Sequence, residues 1–221
     1  AGHVAFTGLD QAAEDGELVE FGGSIPLERA LAPDVLIADE MNGEPLQPVH
    51  GYPLRVVVPG YIGARSVKWL ATVTVQREPS ENYFQARTYR LLPPGSSAPE
   101  DGFALGELPL SSAICVVEGL AGRRVRARGY AITGGARRVE RVEVSADGGA
   151  TFATATLAGE ARPGGWLLWE AELDVPDGAA ELAVRAWDSA GSTQPEDPAR
   201  LWNPKGYANN AWHRARLPAG G

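Results

Sequence analysis

The chain is 221 residues long with 44% hydrophobic and 22% charged residues, enough for one large or two ordinary globular cores and too apolar for disorder. Its net charge of −8 argues against nonspecific nucleic-acid binding, which needs a basic surface. No apolar run approaches the roughly 20 residues that span a bilayer, and the single cysteine, Cys115, excludes an intrachain disulfide and any multi-cysteine metal site.

The chain opens on Ala-Gly-His, with no initiator Met and no basic, apolar targeting segment, which reads as a processed product or a fragment of unstated compartment. Residues 1–49 hold ten acids and one Arg, whereas residues 50–90 hold six basic side chains and two acids, so an anion site belongs in the second stretch. The same arginines can equally pair with the acidic segment before them. Residues 24–31 carry a capping-type Ser24, Pro26 near the first turn and an early Glu28, and stop before Pro33, which predicts a short helix. Residues 35–39 read as a strand, followed by a tight turn at Asn42-Gly43. Two β-rich runs, 54–58 and 67–76, flank a loop over 59–65 whose glycines let the backbone approach a ligand.

Residues 92–102 are rich in Pro, Gly and Ser, as a connecting loop is, and the domain boundary is placed near their end. Beyond it, runs at 124–132, 139–145, 151–157, 166–173, 181–188 and 212–217 alternate as short strands, with hairpin signals at Asp147-Gly148-Gly149 and Pro176-Asp177-Gly178. Roughly seven short strands in such a length predict an immunoglobulin-like β-sandwich. The fold class expected for the whole chain is therefore mainly β with some α.

Lysine usage is the most informative internal feature. Of the 20 basic residues only two, Lys68 and Lys205, are lysine. A compact ammonium and a planar guanidinium are not equivalent beside phosphate or a small oxyanion, so those two places are candidates for an anion contact. His50 and Arg55 stand at the mouth of one strand, and Ser66, Val67 and Lys68 open the next after the glycine loop, an arrangement suited to a phosphate-bearing cofactor. By residue type alone His50 serves equally as a structural hydrogen-bonding group, and no phosphate-loop or dinucleotide glycine pattern is present. Tyr89 is a phenol between Arg87 and Arg90, readable as an anion contact or as an ordinary aromatic at a strand end. Cys115 has no neighbouring His or Lys to activate it and is read as a small core residue, and no local motif suggests a hydrolytic triad.

The run from His50 to Leu70, His-Gly-Tyr-Pro-Leu-Arg-Val-Val-Val-Pro-Gly-Tyr-Ile-Gly-Ala-Arg-Ser-Val-Lys-Trp-Leu, closely resembles the signature of the sulfite oxidase and assimilatory nitrate reductase family. The resemblance continues through Gly8-Leu9-Asp10, Ser24-Ile-Pro-Leu27, residues 39–46, the Tyr89 region, Gly129-Tyr-Ala131, residues 144–149 and residues 201–214, essentially the whole chain. It implies that residues 1–106 are the second part of a molybdopterin-binding domain and 107–221 an immunoglobulin-like dimerisation domain. It further implies that Asp10, His50, Arg55, Ser66, Val67 and Lys68 contact a molybdenum–molybdopterin cofactor. Tyr89 falls at the family's active-site tyrosine, and Lys205 where animal sulfite oxidases carry a substrate-binding arginine, which keeps the charge but loses bidentate recognition. The thiolate that ligates molybdenum in the family lies upstream of the matching region, and Cys115 does not replace it, so this polypeptide alone is expected to be inactive. The implied activity is oxidation of sulfite to sulfate with electrons passed to a cytochrome-type acceptor, in a homodimer. The alternatives are a nitrate reductase or sulfur-compound dehydrogenase on the same scaffold, or a noncatalytic dimerisation fragment.

Overall fold

The computed structural model describes residues 1–93, 95–201 and 203–218; Pro94 of the connecting loop and Trp202 of the 201–214 motif lie outside the described residues. The chain divides into two compact units. The first comprises Ala1–Glu107 together with Asn203–Tyr207, and the second the rest from Leu108 onward.

In the first unit, β1 (His3–Glu14) and β2 (Glu17–Pro26) form a long hairpin closed by Asp15 and Gly16. Both turn residues adopt positive φ, the geometry that matches the twist of the flanking strands. A single helical turn, α1 (Leu27–Ala30), leads to the short strands β3 (Leu36–Ala38), β4 (Glu40–Met41), β5 (Glu44–Pro45) and β6 (Arg55–Val57). Strand β7 (Leu70–Gln76) pairs with the free side of β1, giving the order β2-β1-β7, and β8 (Arg90–Leu91) pairs with β9 (Phe103–Ala104). Val4, Phe6, Ile25, Val56, Val58 and Val67 form the core of this unit. Each such side chain, once buried, contributes about 1.5–3 kcal/mol relative to exposure.

The second unit consists of β10 (Ser111–Gly119), β11 (Arg124–Ile132), β12 (Val139–Ser145), β13 (Ala153–Thr154), β14 (Thr156–Ala158), β15 (Leu167–Asp174), β16 (Glu181–Asp188) and β17 (His213–Arg216). They make two antiparallel four-stranded sheets, β10-β11-β15-β14 and β13-β12-β16-β17. Strand β15 shows why: Leu167, Trp169, Ala171 and Leu173 are buried, and the residues between them are exposed. These inward residues meet Val142, Val144, Leu182, Val184 and Ala186 of the other sheet in one shared core. Gly129 of β11 lies against the Ala113 carbonyl and the Trp169 ring, and a Cβ there would sit 2.6 Å from Trp169 Cζ2.

Several expectations need correction. Over residues 24–31 the backbone stays extended through Pro26, because Ile25 pairs with Val4 and is buried, so only Leu27–Ala30 is helical. The run 67–76 becomes a strand only at Leu70, since Trp69 turns the chain at φ 47°. Residues 151–157 form no single strand: β13 and β14 belong to opposite sheets and break at the buried Ala155. Pro176-Asp177-Gly178 is no hairpin turn either, as it carries the chain from β15 to β16 across the core. Cys115 is exposed rather than buried, because it is the unpaired residue of a bulge between Ile114 and Val116.

Gly129→Val should lower unfolding stability by about 1–3 kcal/mol through overpacking against Trp169. Urea denaturation followed by tryptophan fluorescence checks this; an unchanged midpoint would contradict the contact.

Candidate functional site

The residues expected around a cofactor converge on one turn, Val67-Lys68-Trp69. Its shape is set by two close approaches. Gly51 ends the helical turn Pro48–His50 at φ 105°, and a Cβ there would meet Lys68 Cβ at 2.8 Å. On the other side Gly8 lies against the Asp10 carboxylate, and its Cβ would stand 2.7 Å from the Lys68 carbonyl oxygen. Backbone hydrogen bonds lock the arrangement: Trp69 N–H donates to Gly51 O at 3.3 Å, Leu9 N–H to Trp69 O at 2.9 Å, and Val56 N–H to Val67 O at 2.8 Å.

Within this frame Lys68 Nζ donates to Val49 O at 3.1 Å and lies 4.6 Å from the centre of the Trp69 ring. The Arg55 guanidinium donates to the carbonyls of His50 (3.2 Å) and Ser66 (3.4 Å), which joins the two strand mouths. Ser66 Oγ accepts from Val58 N–H at 3.0 Å and retains a proton to donate. Val67 is fully buried, so only its backbone is available to a ligand. Asp10 Oδ1 is buried without a hydrogen-bond partner, an arrangement that is costly until a donor arrives. Among the described residues no carboxylate forms a salt bridge with His50, Arg55 or Lys68. The alternative in which the arginines of residues 50–90 pair with the acidic N-terminal stretch applies to Arg87–Asp15 at 3.8 Å, while Arg29–Asp34 at 2.6 Å is a pair within that stretch. Buried acceptor, unpaired cations and glycine-cleared backbone together fit a polar, phosphate-bearing cofactor.

Tyr89 and Lys205 lie elsewhere in the same unit, brought together by the returning segment Asn203–Tyr207. Asn203 is buried, and its Oδ1 accepts from Lys205 N–H at 3.0 Å while Gly206 N–H donates to Asn203 O at 2.8 Å, so the turn that displays Lys205 is built on one amide. The Tyr207 ring packs at a tilt against Tyr89 with centroids 5.6 Å apart, and Phe21 packs edge-on to Tyr89 at 6.5 Å. Burial, followed by the neighbouring Tyr89, raises the Tyr207 phenol above its ordinary value. A cavity of about 280 Å³ opens here, lined by Asp15, Tyr83, Arg87, Arg90, Asn203 and Lys205 among others. Arg90 donates from Nε and Nη2 to the carbonyls of Pro99 and Gly102 and shapes the wall, and Lys205 is exposed with no carboxylate partner among the described residues.

Two residues escaped sequence reasoning. Asn203 had no visible signal beyond adjacency to the Lys205 motif. Arg65, at the end of the glycine loop, is 2% exposed; burial pushes its guanidinium down to about 10, with the Tyr89 and Tyr61 phenols acting in the opposite sense. Cys115 lies in the second unit, outside both clusters.

The comparisons with known proteins give the class, a molybdopterin oxidoreductase. Residues 1–84 match the oxidoreductase molybdopterin binding domain family, and residues 103–219 match the Mo-co oxidoreductase dimerisation domain family. The chain belongs to the sulfite oxidase family of molybdopterin oxidoreductases. It is 44% identical over 234 residues to mitochondrial sulfite oxidase of Homo sapiens and 40% identical over 247 residues to sulfite oxidase of Arabidopsis thaliana. These alignments cover 97% and 100% of this chain but 42% and 61% of those proteins, so the chain spans about half the length of such relatives. Inducible nitrate reductase [NADH] 2 of Glycine max is 39% identical over 97% of this chain. The crystal structure of the sulfane dehydrogenase SoxCD from Paracoccus pantotrophus superposes with a TM-score of 0.76 at 28% identity, over 99% of this chain and 58% of that one.

Gly51→Ala should cost about 1–3 kcal/mol of stability, because it adds both left-handed strain and a clash with Lys68. Gly43, at φ 81° with open space around it, provides the comparison: Gly43→Ala keeps the strain without the clash and should cost less. Chemical denaturation of both variants tests the ordering.

Proposed function

We propose that this chain is the C-terminal portion of a molybdenum enzyme that oxidises sulfite to sulfate, with electrons passing to a cytochrome-type acceptor. The observation that carries the reading is the convergence of Asp10, Arg55, Ser66 and Lys68 on a turn cleared by Gly8 and Gly51, in a unit that also holds a cation-lined cavity displaying Lys205. The molybdenum–molybdopterin cofactor, when bound, supplies the oxygen-atom transfer and the two-electron redox change. In this proposal Lys68 and Arg55 neutralise the cofactor's phosphate and Ser66 donates to it, while the Val67 backbone lines it. Asp10 accepts from a pterin N–H, giving its buried oxygen the partner it lacks. His50 stands at the rim of the same cradle. Lys205 attracts the sulfite dianion by charge, and the Tyr89 hydroxyl, held between Phe21 and Tyr207, donates to an oxygen of the reacting anion.

The runner-up, a sulfur-compound dehydrogenase or nitrate reductase on the same scaffold, is favoured by one departure. Lysine at position 205 gives a point charge where a guanidinium would grip two oxygens at once, which relaxes selection among small anions. Parallel assays with sulfite and nitrate on the complete enzyme separate these readings. Lys205→Ala should raise KM for sulfite about tenfold or more with little change in melting temperature, as loss of a charge-assisted contact does. Unchanged steady-state kinetics would remove Lys205 from the site.

We also propose that the second unit is an immunoglobulin-like sandwich that pairs with a second copy of the chain. The strand orders β10-β11-β15-β14 and β13-β12-β16-β17 fit that topology, and the family matched by residues 103–219 is described by its dimerisation role. On the outer face of the first of these sheets Trp166, Leu168 and Val116 are exposed at 65%, 60% and 41%, with Tyr130 edge-on to Trp166 at 4.6 Å. That is an apolar strip of the kind a partner covers. Sedimentation should give a dimer that Leu168→Glu converts to monomer without loss of β structure; a monomeric wild-type protein would defeat this part of the proposal.

A further inference from the structure

Arg65 is the one basic residue buried among the described residues, and its charge is not met by a carboxylate. Removing a guanidinium from water without an anionic partner is costly by several kcal/mol, and a methionine would fill the same space without that penalty. Its connections therefore matter. Arg65 Nη2 donates to Leu105 O at 2.6 Å, and Leu105 N–H donates to Tyr89 O at 2.8 Å, so a two-bond chain runs from the guanidinium to the backbone of Tyr89. Nη1 is buried without a hydrogen-bond partner, in a niche that Gly23 keeps open: a Cβ there would stand 2.9 Å from Nη1 and 3.0 Å from Gln85 Oε1. Gln85 is itself pinned by Ser24, whose N–H donates to Oε1 at 2.6 Å, and therefore does not swing to the arginine. The groups that feel the Arg65 charge are the phenols of Tyr89 and Tyr61; beyond Tyr61 stand Arg29 and Glu107.

We propose that Arg65 is a positioning residue for the anion pocket: it holds the Tyr89 segment through Leu105 and sets a fixed positive charge behind the Tyr89 side chain that favours an oxyanion. This rests on the reading of the Lys205 cavity, whose wall includes Thr88 and Arg90 on either side of Tyr89 in sequence, as the substrate site. The driving logic is electrostatic preorganisation. A charge fixed in a low-dielectric interior acts on a nearby anion far more strongly than an exposed one and needs no reorganisation when the anion arrives.

The test is the binding of inorganic sulfate to the metal-free, full-length enzyme by calorimetry, alongside thermal melting. Arg65→Met should weaken sulfate binding by about tenfold or more, the scale of a lost interaction with a charged group. Arg65→Lys should bind near wild type at neutral pH and then lose about tenfold as pH rises toward 9.5, because a buried ammonium gives up its proton well below its ordinary value. The wild type, which shares Lys205 and every tyrosine with that variant, should not show this additional loss. Sulfate affinity of Arg65→Met within twofold of wild type overturns the proposal. So does an Arg65→Lys profile that parallels the wild type, and that second criterion holds even where Arg65→Met does not fold. Lys205→Met separates the two levels: normal sulfate binding in that variant removes the pocket reading itself, whereas its loss beside normal binding in Arg65→Met removes only the role of Arg65.

Discussion

The first unit is organised by how closely three stretches of backbone can pass. Val67-Lys68-Trp69 runs between Gly8 and Gly51 with no room for a Cβ on either, and the hydrogen bonds from Trp69 to Gly51 and from Leu9 to Trp69 exist only because of that proximity. Everything proposed for the cofactor follows from the same geometry. It puts Lys68 against Val49, buries Val67 as a core anchor and leaves one oxygen of Asp10, Oδ1, buried without a donor. A looser turn would let these groups satisfy one another and leave nothing for a ligand.

Charge is arranged on a different principle in each unit. In the second unit two arginines of β11 pair across the sheet with Glu172 of β15, Arg124 at 2.6 Å and Arg126 at 2.6 Å, exposed pairs of modest worth that keep the sheet surface polar. In the first unit the informative cations are those left over. Lys68, Arg55, Lys205 and the buried Arg65 all lack a carboxylate partner among the described residues, which is the condition under which a positive charge remains available to an anion.

How much of this was readable beforehand differs by element. Strand β15 announces itself by strict alternation, and Asn42-Gly43 by its turn chemistry, because both signals are local. Strand β10 carries no clean local signal, since the bulge at Cys115 breaks its alternation, the same event that turns the thiol outward. The Ser24-Ile25-Pro26 stretch carries helix-start chemistry that tertiary pairing with Val4 overrides. For the site, residues 50–68 are close in sequence and the motif gathers them. The meeting of Tyr89 with the Lys205 turn has no local signature at all, being made by the tilted Tyr89–Tyr207 ring contact and the buried Asn203 amide. Arg65 stayed invisible because composition does not distinguish a buried cation from a solvated one.

The route of the chain through the two units has a consequence for synthesis. The peptide leaves the first unit after Glu107, builds nearly all of the second, and comes back to lend Asn203–Tyr207 to the first before ending in the second again. Folding during translation proceeds from the N-terminus, so the cradle segments emerge from the ribosome long before Lys205 does. The turn that carries Lys205 is therefore made only after nearly all of the second unit, and a product terminated before residue 203 holds the Gly8–Gly51–Lys68 arrangement without the segment that packs Tyr207 against Tyr89.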